Sequence, residues 1–392
     1  MLETPAQAAV AARFDAITAE QLRDVGSLKW TGFAQLLPAW VAEMDFGLAP
    51  PIAKAVQNAV AQGLTGYLPA GLVDAMGAAC SDFLLTRHGW DVPADWIRPA
   101  SDVLTALEST IKYFSAPGAR IVVPTPAYMP FLKLPKIHGR QLVEVPLLRT
   151  DSSWEMDYAA LDAALAGGGM LVLCNPHNPL GKVYSRDELL RISKIVAARG
   201  ARVFSDEIHA PLVYDGGTHV PYASVGSAAA GHTVTGTSAS KAWNLAGLKA
   251  AQMIFSNAAD REKWAEVGEF AEHGASTLGV VANIAAYRDG GPWRSDVLGY
   301  LDGNRQLLGE LLGEHLPGAG WLRPAGTYLA FLDCSQLGIA GSSADFFRED
   351  AGVVLVNGAE CGVAGRGWVR LNFAVPRPIL RRIVEQMGAA LH

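Results

Sequence analysis

MLVLCNPHNPLGKVYSRDELLRISKIVAARGARVFSDE, residues 170–207, decides the fold. An apolar run (170–176) ends in two Asn-Pro turns. A helical pattern with a serine start follows (185–200), and then a second apolar run (201–207) ends in Ser205-Asp206-Glu207. That is the signature of a strand, a crossover helix and a parallel strand. The same rhythm extends outward to ARIVVPTP (119–126) and HTVTGTSAS (232–240), each run bounded by glycine, proline or a polar turn. The spacing predicts an α/β fold, a mostly parallel sheet with helices on both faces. In such sheets ligands bind beyond the carboxyl ends of the strands, so the tips at 124–126, 175–178, 205–207 and 238–241 should converge on one site.

At 392 residues the chain exceeds what a single hydrophobic core usually serves, and half of it is apolar, which predicts two units. NRQLLGELLGEHLPG (304–318), AGTYLAFLD (325–333) and GWVRLNFAVPRP (367–378) read as helix, strand and strand before a C-terminal helix, a smaller α+β unit. The extended stretch 36–51 precedes a helix at 52–62 and is expected to pack back on that unit. The expected division is a large domain at 50–285 and a small one formed by 1–49 and 286–392. A formal net charge of -6 with scattered basic residues argues against nucleic acid or an anionic membrane as partner. Cys80, Cys174, Cys334 and Cys361 lie far apart with no metal-ligand spacing, as expected of reduced thiols in the cytosol. No repeat, leader pattern or membrane-length apolar run is visible, so the expected protein is soluble and cytoplasmic.

TGTSASKAWNLAGLK (235–249) crowds Ser238, Ser240, Lys241, Gly247 and Lys249 into one segment. Taken alone it suits a surface loop equally well. A phosphorylated aldehyde would explain the whole set: the Lys241 amine condenses with the carbonyl, and the two hydroxyls with the Lys249 ammonium hold the phosphate. A pyridine ring bearing those groups needs a carboxylate to keep its nitrogen protonated, and Asp206 stands at a strand tip for that role. Ser-Asp-Glu also caps turns without any ligand. His209, three residues on, could support Asp206 or the ring's phenolic oxygen, or be structural. The Asn178 amide, on a proline-fixed turn, suits that oxygen as a donor. Tyr128 in PTPAYMPF could lie on the ring face or simply pack in the core. ASDVLTALESTIKYF (100–114) offers the phosphate the amides of Val103 and Leu104 at a helix start, with Asp102 as N-cap, its carboxylate turned inward. Arg370, in the apolar run VRLNF (369–373), is suited to a bidentate grip on a carboxylate.

In this order the motifs resemble the fold-type I pyridoxal-phosphate enzymes of the aspartate aminotransferase superfamily: Gly66-Tyr67, the phosphate helix, PxY, NPxNPxG, SDE, SxSK and a C-terminal arginine. Within it the chain is most similar to the MalY/PatB group of carbon–sulfur lyases, through WVAEMDF (40–46), NPHNPLG, SDEIH, SKAWNLAGLK and GTYLAFLD. The resemblance implies a seven-stranded sheet, pyridoxal 5′-phosphate as cofactor, and a homodimer with shared sites. By the same resemblance Lys241 bonds the cofactor, Asp206 pairs with the ring nitrogen, Asn178 meets the phenolic oxygen and Tyr128 stacks. Arg370, Trp40 and Tyr67 would contact substrate, and Tyr67 would also reach the phosphate of the other subunit. Three positions depart from the group's pattern: Glu43 and Asp102, where it usually has aspartate and glycine, and Pro211, where an acid is common.

The implied activity is β-elimination on a sulfur-bearing L-amino acid, of the cystathionine β-lyase or cysteine-S-conjugate β-lyase type. An aminotransferase would use the same residues, and a regulatory protein that keeps the cofactor but acts by binding a partner is the reading from another class.

Overall fold

The computed structural model describes residues 5–214 and 216–392. Seven strands form the central sheet in the order Ile97–Ala100, Ala251–Phe255, Thr233–Thr237, Arg202–Asp206, Met170–Cys174, Arg120–Thr125 and Gln141–Pro146. All run parallel except Ala251–Phe255, which is antiparallel to both neighbours. Met170–Cys174 and Thr233–Thr237 are buried along their whole length, as expected of central strands covered on both faces. The four expected runs are strands, each starting and ending within a few residues of the reading. Ile97–Ala100, Gln141–Pro146 and Ala251–Phe255 were not read from the sequence; the first two form the sheet's edges.

Local chemistry explains the crossovers. The helix Arg186–Ala198 starts with a capping box, in which Ser185 Oγ accepts from the Glu188 amide at 3.3 Å and Glu188 accepts from the Ser185 amide at 2.8 Å. Val103–Phe114 is capped by Asp102, which accepts from the Thr105 amide at 2.8 Å. Its first turn reaches the sheet because residue 236 is glycine. A Cβ there would lie 2.6 Å from Phe204 Cζ and 3.0 Å from Val103 Cγ1.

A four-stranded antiparallel sheet, in the order Gly320–Trp321, Leu329–Asp333, Trp368–Asn372 and Val356–Asn357, packs with the helices Gly291–His315 and Arg377–Ala389. Leu308, Leu311, Leu371, Ile383 and Val384 are buried between these layers. Each such side chain contributes roughly 1.5–3 kcal/mol by leaving water. The first helix begins thirteen residues before Asn304, the start expected from sequence, and runs through Gly303 and Gly309. Those glycines make room: a Cβ would lie 2.4 Å from the Arg377 guanidinium at one and 2.9 Å from the Trp321 ring at the other. Residue 285, the expected domain boundary, falls inside the helix Thr277–Asp289.

The extended stretch after residue 36 does pack on the smaller sheet's unit. Leu37–Pro38 pairs in parallel with Val353–Val354, and the Asn372 amide donates to Ala39 O at 2.8 Å. Residues 40–47 then form a strap between the two sheets. Asn372 Nδ2 donates to the Val41 and Glu43 carbonyls, and Asn244, held at a φ of 60°, grips Met44 through its side-chain amide. Asp45 anchors the strap by accepting from Lys29 at 2.8 Å and Trp30 at 3.0 Å, all three buried. Among the described residues no helix is long and apolar enough to cross a membrane, and all four cysteines are buried free thiols.

Candidate active site

The carboxyl ends of the parallel strands and the strap enclose a cavity of about 330 Å³. Its wall includes Lys241, Asp206, Asn178, Tyr128, His209 and Arg370, which come from five separate segments of the chain. Trp40, Val103, Leu104, Ser240 and Lys249 complete the set of expected residues that reach it.

Lys241 follows the strand Thr233–Thr237, and its Nζ donates to Ala42 O at 2.8 Å. Tyr328 Oη donates to the same carbonyl at 2.9 Å. Burial and then the Arg370 charge pull the Lys241 ammonium down to about 8, against Glu43 and Asp206, which hold it up. About a tenth of this amine is therefore neutral at pH 7, far more than for an ordinary lysine, and the neutral form is the one that attacks a carbonyl. Asp206 ends its strand buried, and burial pushes its carboxyl up to about 7 although the Ile208 amide donates to it at 3.0 Å. Two groups of opposite sign, each pushed toward neutrality, face one cavity, as catalytic sites commonly arrange.

Arg370 is buried, and no carboxylate pairs with it among the described residues. Its Nη2 donates to Trp40 O at 2.8 Å and its Nη1 to Asn178 Oδ1 at 3.2 Å, while Nε is buried without a partner. A buried guanidinium without a counter-charge costs several kcal/mol, which an anion in the cavity would offset. His209 is buried with Nδ1 unpartnered, and burial lowers its imidazole to about 3, so the ring is neutral. His177 fixes the Asn178 turn from behind through a 2.7 Å hydrogen bond between Nε2 and Pro126 O.

The aminotransferase class I and II family matches the chain over residues 41–387. The chain belongs to that family. Two curated relatives are the cystathionine β-lyase of Corynebacterium glutamicum, 38% identical with 95% of this chain and 98% of the relative covered, and the cystathionine β-lyase PatB of Bacillus subtilis, 32% identical with 93% and 96% covered. The solved pyridoxal-phosphate-bound C–S lyase of Staphylococcus hominis superposes with a TM-score of 0.89 at 28% identity, covering 96% of this chain and 98% of that one. The architecture is that of fold-type I pyridoxal-phosphate enzymes.

The donor set fits a phosphorylated pyridine aldehyde: an amine whose charged form burial disfavours, a buried carboxyl for a ring nitrogen, a side-chain amide, and the amides of Val103 and Leu104 opening a helix. Two expected residues have partners that the sequence reading did not anticipate. Ser238 does not line the cavity; its hydroxyl donates to Ala250 O at 2.7 Å and accepts from the Ser240 amide at 3.0 Å, so it shapes the turn that presents Ser240 and Lys241. Lys249 reaches the cavity, but its ammonium pairs with Asp102 at 2.9 Å. Tyr67, expected to reach the phosphate of the other subunit, is fully exposed and does not line this chain's own cavity. Ala42, Met129, Ile208 and Val356 line the site without having been anticipated. Ala42 acts through a backbone carbonyl, which side-chain chemistry in a sequence does not reveal.

Proposed function

We propose that this chain is a pyridoxal 5′-phosphate-dependent carbon–sulfur lyase that releases a thiol from Cβ of a sulfur-bearing L-amino acid, leaving pyruvate and ammonia. The observation that carries this reading is the single cavity joining Lys241, Asp206 and the uncompensated Arg370. The relatives' names support the carbon–sulfur branch of the family's chemistry.

When bound, the cofactor supplies a sink for the electron pair left as the substrate's Cα–H bond breaks. Lys241 would hold the cofactor at its aldehyde carbon and, as a free amine, would take the substrate's Cα proton. Asp206 keeps a proton on the ring nitrogen, which its burial favours by discouraging a lone carboxylate. Asn178 meets the phenolic oxygen, Tyr128 covers the ring, and Arg370 and Trp40 orient the substrate through its carboxylate and Cα substituent. The leaving thiolate, whose conjugate acid has a pKa of about 8.5, departs without a dedicated acid.

Arg370→Lys is expected to raise KM for the amino acid by about 10- to 100-fold and change kcat less, because an ammonium cannot reproduce the two-pronged grip. Initial-rate kinetics test this; an unchanged KM would place the carboxylate elsewhere. In our reading the protein is a cytoplasmic homodimer, with the exposed Tyr67 completing the partner's phosphate site. Dissociating and re-associating a mixture of Tyr67→Phe and Lys241→Ala protomers should then yield hybrids with one intact site, detected as a rise in pyruvate production above either parent. No rise would confine the site to one chain.

A further inference from the structure

We propose that Asp102 competes with the cofactor's phosphate for Lys249 and thereby weakens the chain's hold on its own cofactor. The inference rests on the cofactor reading above. Asp102 uses both carboxylate oxygens: Oδ1 accepts from the Thr105 amide at 2.8 Å and Thr105 Oγ1 at 3.0 Å, and Oδ2 accepts from Lys249 Nζ at 2.9 Å. Both residues line the cavity beside Val103 and Leu104, whose amides open the helix toward a phosphate.

The other cations lining this cavity, Lys241 and Arg370, have the aldehyde and the substrate carboxylate to serve. Lys249 is left as the cation for the phosphate end, and Asp102 cancels its charge. A phosphate dianion settling there meets a carboxylate already in place, and Lys249 must either leave Asp102 or be shared between two anions that repel each other. Burial alone would raise the Asp102 carboxyl, but the Thr105 amide and Lys249 together hold it below the usual carboxylate range, so it stays charged at working pH. Both partners of the pair are part exposed, at 59% and 36%, so solvent screens the repulsion and the expected effect is about tenfold.

Capping and charge can be separated here. Asparagine and serine cap helices as aspartate does, without the negative charge. The test dialyses purified wild type, Asp102→Asn and Asp102→Ser against graded pyridoxal 5′-phosphate and, in parallel, against pyridoxal, which lacks the phosphate. Bound cofactor is counted after alkaline release, and thermal melting checks that each variant is folded. Both variants should bind pyridoxal 5′-phosphate about tenfold more tightly than wild type and bind pyridoxal as wild type does. Unchanged or weaker binding of the phosphorylated form by the folded Asp102→Asn variant would overturn the competition and make Asp102 a residue that merely positions Lys249. Equal tightening for both ligands would also overturn it, since the phosphate would then be irrelevant. A wild type that takes up neither ligand would overturn the cofactor reading, and this inference with it.

Discussion

Lys241→Ala is expected to fold, to show none of the visible absorption that a lysine-bound cofactor gives, and to lose turnover by about 10²- to 10⁴-fold from the missing proton transfer alone. Folding should survive because the lost group is a buried ammonium whose desolvation already pulls it down to about 8, so its removal relieves a cost. The Ala42 carbonyl also keeps its second donor, Tyr328 Oη, at 2.9 Å. Absorbance spectra and pyruvate assays on the purified variant check both parts. Retention of the band together with activity would remove Lys241 from the site.

Asp206→Asn should be comparably damaging to turnover while leaving cofactor capture intact. The amide fits the same space between the Ile208 amide and the Cys174 thiol, which lies 4.0 Å from Oδ2. An amide cannot hold a proton on a ring nitrogen, so the electron sink fails; a loss of about 10²-fold or more in kcat is expected. Rates near wild type would assign the sink to another group. Thermal stability of the cofactor-free variant should not fall, because the exchange removes a carboxyl that burial pushes up to about 7.

Much of this site was legible in the sequence, for a definable reason. Asp206, Asn178 and Lys241 all stand at the ends of buried β-runs, and the topology of an open parallel sheet brings such ends together. Asp102 as an N-cap was likewise local, settled within three residues by the Thr105 amide. The misreadings share a different cause. Ser238 has the right chemistry in the right segment, but its partner, Ala250 O, was decided by how the chain folds back on itself, as was the pairing of Lys249 with Asp102. The long helix was read only from Asn304, directly after Gly303, and the packed neighbour Arg377 shows why residue 303 is a glycine. The edge strands Ile97–Ala100 and Gln141–Pro146 carry weaker patterns: one contains Pro99 and the other is only partly buried.

The most direct measurement is the amount of pyruvate formed per protein chain from cystathionine, or from cysteine, with no 2-oxo acid added. A lyase regenerates its cofactor in every cycle, because loss of the thiolate outruns reprotonation of the cofactor. Sustained pyruvate release over many turnovers, matched by thiol, is therefore expected, with alanine giving at most a slow exchange of its amino group. Product that stops near one equivalent per chain, and resumes only when a 2-oxo acid is supplied, would contradict the lyase and identify an aminotransferase.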